Sequence, residues 1–131
     1  MKGIYILVME LRKDSKLRIG ALGPVSFPKG FYAYVGSAMG GLEQRINRHL
    51  GKSKKLHWHI DYLLKKSQIK KVIVKETSSK SEECRTAGMV KSTGGIPVLG
   101  FGCSDCRCQS HLFYFKESPV FAAGGFKEFT A

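Results

Sequence analysis

Tyr5, Tyr34, Arg45, His49 and Glu83 have side-chain types that could do chemistry, although each taken alone is a weak signal. Phosphodiester hydrolysis needs an aimed and activated water, an offset for charge developing on the phosphoryl oxygens, and a stabilised leaving oxygen. A divalent cation and an arginine supply most of that without covalent chemistry. Arg45 lies three residues after Leu42 and four before His49, so all three fall near one helical stripe. From the border of an apolar face, an arginine can aim its forked guanidinium at a phosphate over a sheet edge. A lone helix arginine can equally sit on a solvated face. Tyr5 and Tyr34 fall in apolar segments, where a tyrosine is commonly a core aromatic with a satisfied hydroxyl. A phenol is a poor base near neutral pH, so these are positioning groups first, and a base only beside Arg45 or a metal. Glu83 shares a helical stripe with Ala87 and Val90, whereas Glu82 aligns with Arg85, Thr86 and Met89 on a wetter side. Glu83 is therefore the better carboxylate for a site. One hard carboxylate plus waters suits Mg²⁺ or Mn²⁺. Either glutamate could instead merely favour the helix dipole.

Two further clusters have ligand chemistry. His57 and Asp61 are four residues apart and could share a metal or a hydrogen bond. Alternatively, Asp61 fixes a histidine tautomer while Trp58 and Tyr62 pack. Cys103, Cys106 and Cys108, followed by His111 and with Cys84 elsewhere, offer enough ligands for zinc. The spacing is not that of a standard finger, and disulfides or plain thiols remain open. Zinc here would be structural.

The elements that must position these groups are legible in outline. Gly3 to Leu11 reads as a strand, Leu17 to Leu22 as a second, and Phe31 to Ser37 as a third. The third places Tyr32 and Tyr34 on one face and Phe31, Ala33 and Val35 on the other. A helix follows from Leu42 to Leu50, with Leu42, Ile46 and His49/Leu50 toward the core. His57 to Lys66 reads as a second helix with Ile60, Leu63 and Leu64 inward, and Lys70 to Lys75 as a short strand. A polar break at Ser78–Ser81 offers an N-cap for a third helix, Glu82 to Ser92. A Cys-rich loop leads into a last strand, His111 to Lys116. We expect one α+β domain over residues 1–131, with a small, mostly antiparallel central sheet flanked by helices. The core runs over about 3–116, and residues 117–131 take no assignment.

With 22 Lys and Arg against 10 Asp and Glu, the chain carries a formal charge of +12. Such a surplus on a small domain attracts polyanions, of which nucleic acid is the most abundant. A basic soluble surface or an anionic membrane surface fits the charge too. Arg48, Lys52, Lys54 and Lys55 sit beside the candidate site and are the nucleic-acid contacts we expect. No apolar run is long enough for a membrane helix, and Glu10 ends the apolar start of the chain without a cleavage site. This reads as a cytoplasmic protein.

Gly3-Ile4-Tyr5, then Tyr34-Val35-Gly36-Ser37-Ala38, then the helix with Arg45 and His49 follow in an order that resembles the GIY-YIG nucleases. Within them the chain is similar to the small stand-alone Uri-superfamily endonucleases, from Gly3 to about Phe115. The resemblance implies a three-stranded central sheet with packed helices. It also implies tyrosine hydroxyls turned into the site, Arg45 on phosphate, His49 at the frequent helix histidine, and a helix glutamate on the metal. The implied activity is metal-dependent DNA cleavage leaving 5′-phosphate and 3′-hydroxyl ends. One departure stands out: Tyr5 and Tyr34 are 29 positions apart, where the family commonly uses a short hairpin. Residues Arg12 to Pro28 would then form an added β excursion. A non-catalytic nucleic-acid-binding domain and a zinc-stabilised interaction module are the alternatives.

Overall fold

The computed structural model describes residues 1–51, 55–102, 108–121 and 125–129. Gly3–Leu11 forms β1, and its apolar run is buried along almost its whole length because the strand is central and covered on both faces. It pairs antiparallel with β4 (Gly30–Ala38) on one side and β5 (Gln68–Glu76) on the other. Short strands extend this trio. β7 (Leu112–Phe115) and then β6 (Ile96–Pro97) lie beyond β4, and β8 (Lys127–Glu128) lies beyond β5. Every pairing in the resulting six-stranded sheet is antiparallel. The fold is α+β, as the element pattern implies.

Strand alternation divides the interior in two. Tyr5, Leu7, Met9, Tyr32, Val72 and Val74 point to one face, where α1 (Leu42–Leu50) and α2 (His59–Leu64) supply Leu42, Ile46, Ile60 and Leu63. Ile4, Ile6, Val8, Ala33, Val35 and Ile73 point to the other, where α3 (Glu82–Ser92) supplies Ala87 and Val90. Together these layers sandwich the sheet.

Several boundaries differ from the sequence reading. The segment Leu17 to Leu22 is not one strand. Ser15–Arg18 is β2, Gly20–Leu22 is a 3₁₀ turn, and Pro24–Phe27 is β3, which pairs with β2 in a separate hairpin. The expected β excursion between the tyrosine motifs is therefore present, anchored by Ile19 and Phe27 in the core. Helix α2 starts two residues later than the pattern implies, because the Asp61 carboxylate accepts from the backbone N–H groups of His57 and Trp58, each at 2.9 Å, and caps it there. Ser81 stands at the N-cap of α3, but its hydroxyl shares a 2.7 Å hydrogen bond with that of Ser79 instead of capping the helix. Leu50 is 42% exposed while His49 is buried, so the apolar face of α1 ends on the histidine. Part of the unassigned tail is placed: β8 pairs with β5, and Phe129 N–H donates to Val72 O at 2.8 Å.

Two glycines have a steric reason. A Cβ on Gly3 would meet Lys75 O at 2.2 Å, and one on Gly36 would meet the Tyr5 ring at 2.4 Å. Gly36 is the cross-strand partner of Tyr5, so the ring lies flush on its backbone. Gly36→Ala forces the ring aside and should cost about 1–3 kcal/mol, the usual range for overpacking. Gly88 lies inside α3, and a methyl group added there would have nothing within 4 Å, so Gly88→Ala should gain about 0.5–1 kcal/mol from helix propensity. Denaturant unfolding of both variants tests the opposite signs.

Candidate functional site

β7 pairs with β4 from Phe31 to Tyr34, His111 O accepts from Val35 N–H at 2.9 Å, and beyond that the β4 edge has no strand partner on that side among the described residues. A cleft of about 680 Å³ opens at this end of the sheet. Its walls come from both layers. Tyr5 and Tyr34 enter from β1 and β4, Arg45 from α1, and Glu83 from the first turn of α3. Trp58, His57, His59 and Tyr62 line it around α2, and Gly20 and Ala21 of the β2–β3 excursion close one side. The excursion is thus a wall of the cleft.

Tyr5 and Tyr34 are diagonal neighbours on one sheet face, with ring centroids 6.4 Å apart. The Tyr5 hydroxyl shares a 2.8 Å buried hydrogen bond with His49 Nε2, and the Arg45 charge acts on it as well. Burial pushes the Tyr5 phenol well above the ordinary tyrosine value, and the opposing pull of Arg45 does not offset it. Burial and then the neighbouring Tyr5 raise Tyr34 as well. Both phenols therefore remain protonated at neutral pH and serve to orient neighbours rather than as bases. His49 does not line the cleft; it stands behind Tyr5 and fixes the direction of the hydroxyl.

Arg45 donates through Nη1 to Ser37 O at 3.1 Å, and its Cζ lies 4.5 Å from the centroid of the Trp58 ring. That contact holds the guanidinium over an aromatic face at the cleft wall. Burial alone would raise the Glu83 carboxyl, but the facing His111 imidazole, nearby Ser37 and the Lys80 charge hold it below the usual range. The cleft thus presents an ionised carboxylate near two cations, Arg45 and Lys80.

The other carboxylates have different tasks. Glu82 pairs with Arg85 at 2.7 Å and Lys75 at 3.4 Å. Asp61 is fully buried and takes a forked pair from Arg48, at 2.8 and 3.0 Å, besides its two backbone donors. This corrects the shared-metal reading of His57 and Asp61: the aspartate is saturated as a cap, and His57 reaches it only through its backbone N–H. Arg48 also donates to Lys55 O at 3.0 Å and lies 4.2 Å from the Trp58 centroid. Its guanidinium is occupied in holding α1 to α2, where the sequence reading offers it to nucleic acid. Lys55 is exposed, while Lys52 and Lys54 lie outside the described residues.

Cys84, Cys108 and His111 bring ligand atoms within 4.8 Å of one another, a set that could hold a metal ion. Cys103 and Cys106 lie outside the described residues. Sequence reasoning missed Ser37, Lys80 and His59 as cleft residues. His59 had a visible signal in the polar aromatic run His57–Tyr62. Its Nδ1 accepts from Gly102 N–H at 2.9 Å, and burial lowers its pKa. The neutral ring therefore carries its proton on Nε2.

Arg48→Ala leaves the Asp61 carboxylate buried without its main counter-ion, and roughly 3 kcal/mol of stability should be lost. Burial raises the Asp61 pKa, but its hydrogen bonds from Arg48, Trp58 and His57 outweigh that and depress it. Its contribution is therefore present above the ordinary carboxylate value and lost as pH falls through the depressed folded value. Wild-type denaturant midpoints should drop on acidification below about pH 4. Arg48→Ala should show a smaller drop over the same window.

No curated protein and no solved structure shows significant similarity to this chain. No helix among the described residues is long and apolar enough to cross a membrane. A family model described as a domain of unknown function, DUF123, matches residues 4–125. With nearly all of the chain covered by that match, the protein belongs to the DUF123 family.

Proposed function

We propose that this chain is a metal-dependent endonuclease that hydrolyses phosphodiester bonds in DNA, similar to the stand-alone Uri group of GIY-YIG nucleases. One observation carries the reading: Tyr5, Tyr34, Arg45 and Glu83 come from separate elements and line a single cleft. The net charge of +12 favours a polyanionic substrate.

In this reading Arg45 takes a phosphoryl oxygen with its planar fork, held at the wall by Trp58 and Ser37. Lys80 adds positive charge on the same rim. The protonated hydroxyls of Tyr5 and Tyr34 orient the attacking water and the phosphate, and His49 fixes the Tyr5 hydroxyl. Glu83 is the residue that would hold Mg²⁺ or Mn²⁺. Its ionised state and its place in an open cleft fit a cation that keeps most of its waters. When bound, such an ion offsets charge on the phosphate and lowers the pKa of a bound water. His59, a cleft residue whose Nδ1 is taken by Gly102 N–H, would in this reading donate from Nε2 toward a departing oxygen. For the thiol and imidazole cluster of Cys84, Cys108 and His111, the donor set fits Zn²⁺ in a structural role.

Cleavage of labelled single-stranded, duplex and branched DNA with Mg²⁺ or Mn²⁺ tests this. Arg45→Ala and Glu83→Ala should each lower the rate by about 10²–10³-fold or more while most DNA binding is retained. Tyr5→Phe should cost less, about tenfold, because the phenol positions without transferring a proton. Binding without cleavage by wild type would favour a non-catalytic nucleic-acid-binding domain. Absence of both would leave a zinc-stabilised module.

A further inference from the structure

His111 stands between the cleft and the thiol cluster. It is buried, 1% exposed, immediately before β7. Its Nδ1 lies 2.8 Å from Glu83 Oε2, and its Nε2 lies 4.0 Å from Cys84 Sγ. An ionised carboxylate can only accept, so the facing Nδ1 carries the proton. A neutral ring then turns the Nε2 lone pair toward Cys84 and Cys108. A carboxylate behind one ring nitrogen, with the other nitrogen on the metal, is the arrangement that orients ligand histidines. Cys84 is the next residue after Glu83 in α3, so one helical turn feeds both sites.

We propose that Glu83 is a carboxylate shared between two centres: it orients His111 for a zinc ion held by Cys84, Cys108 and His111, and that ion in turn fixes Glu83 for the cleft. The inference rests on the zinc reading of the cluster and needs only these three ligands. Two thiolates balance the charge of Zn²⁺, so loading the cluster adds no net charge beside the cleft. Its effect on the cleft acts through geometry. With the imidazole fixed by the ion, the carboxylate 2.8 Å from it loses its freedom to swing away from the cleft. Linkage makes the effect reciprocal: a cleft cation and the cluster zinc each tighten the other.

The test is zinc affinity by chelator competition on the full chain, with Co²⁺ substitution to report thiolate ligation. Wild type should bind about one zinc, and the cobalt form should show thiolate charge-transfer absorption lost in Cys84→Ser and Cys108→Ser. Glu83→Gln should weaken zinc at least about tenfold, the low end for losing an outer partner of a ligand histidine. Glu82→Gln, whose carboxylate pairs with Lys75 and Arg85, should leave zinc affinity unchanged. Glu83→Asp should recover part of the loss. Thermal melts of the zinc-free variants should show each fully folded at the assay temperature, which separates ligation from folding. Mn²⁺ titrated into zinc-loaded and zinc-stripped wild type should bind about tenfold more weakly to the stripped form. Failure of wild type to bind zinc overturns the zinc reading and the proposal with it. Zinc held equally by wild type and Glu83→Gln overturns the shared carboxylate alone. Mn²⁺ affinity indifferent to zinc overturns the effect on the cleft. No Mn²⁺ binding by the loaded protein counts against the nuclease reading, and the Glu83→Gln zinc affinity then decides the proposal.

Discussion

The contact between the Tyr5 ring and the backbone of Gly36 sets the geometry of the cleft. The antiparallel register puts these residues opposite each other, and only a residue without a Cβ leaves room for the ring. A slip of one residue would turn Tyr5 to the α3 face and put Ile4 or Ile6 in its place, because strand side chains alternate. With the register held, the phenol meets His49 from α1 and Arg45 one turn earlier on the same helix. Burial then keeps it protonated. The same packing that orders the tyrosine therefore also favours an orienting role over that of a base.

A second consequence of topology is that the cleft belongs to both layers. α1 and α2 pack on the tyrosine face, and α3 packs on the opposite one. Both layers contribute to the cleft near the end of β4 that lies beyond its pairing with β7. Glu83, in the first turn of α3, lines the same cleft as Ser37 of β4. The carboxylate is drawn in by hydrogen bonds and nearby positive charge, which outweigh its desolvation. Asp61 solves the same problem differently, by committing all its acceptors to Arg48 and two backbone donors.

Much of this was legible in the chain, for identifiable reasons. The long central strands declare themselves through continuous or alternating apolar residues, and α1 through Leu42, Ile46 and His49. The choice of Glu83 over Glu82 rests on helical stripes; Glu83 lines the cleft and Glu82 pairs with Arg85, but the two side chains are about equally buried, so Glu82 does not lie on a wetter side. Two-residue strands such as β6 and β8 carry no period to read. The start of α2 depends on a side chain reaching back to the backbone, which composition does not encode. Arg48 illustrates the commonest obstacle: its basic character was visible, but its buried partner thirteen residues on was not. Ser37, Lys80 and His59 gain meaning only from contacts across the cleft.

Trp58 is the chain's sole tryptophan. Its indole touches Arg45, which lines the cleft, and Arg48, which is locked to a buried carboxylate. His49 and His57 lie beside it with ring centroids at 5.9 and 5.2 Å. The protein therefore carries a single native indole fluorophore at the junction of its cleft and its helix-to-helix clamp. Its emission is exposed to two separable influences, the environment of one guanidinium at the rim and the integrity of another inside. An unlabelled chain thus has optical access to both the occupancy of the cleft and the packing that supports it.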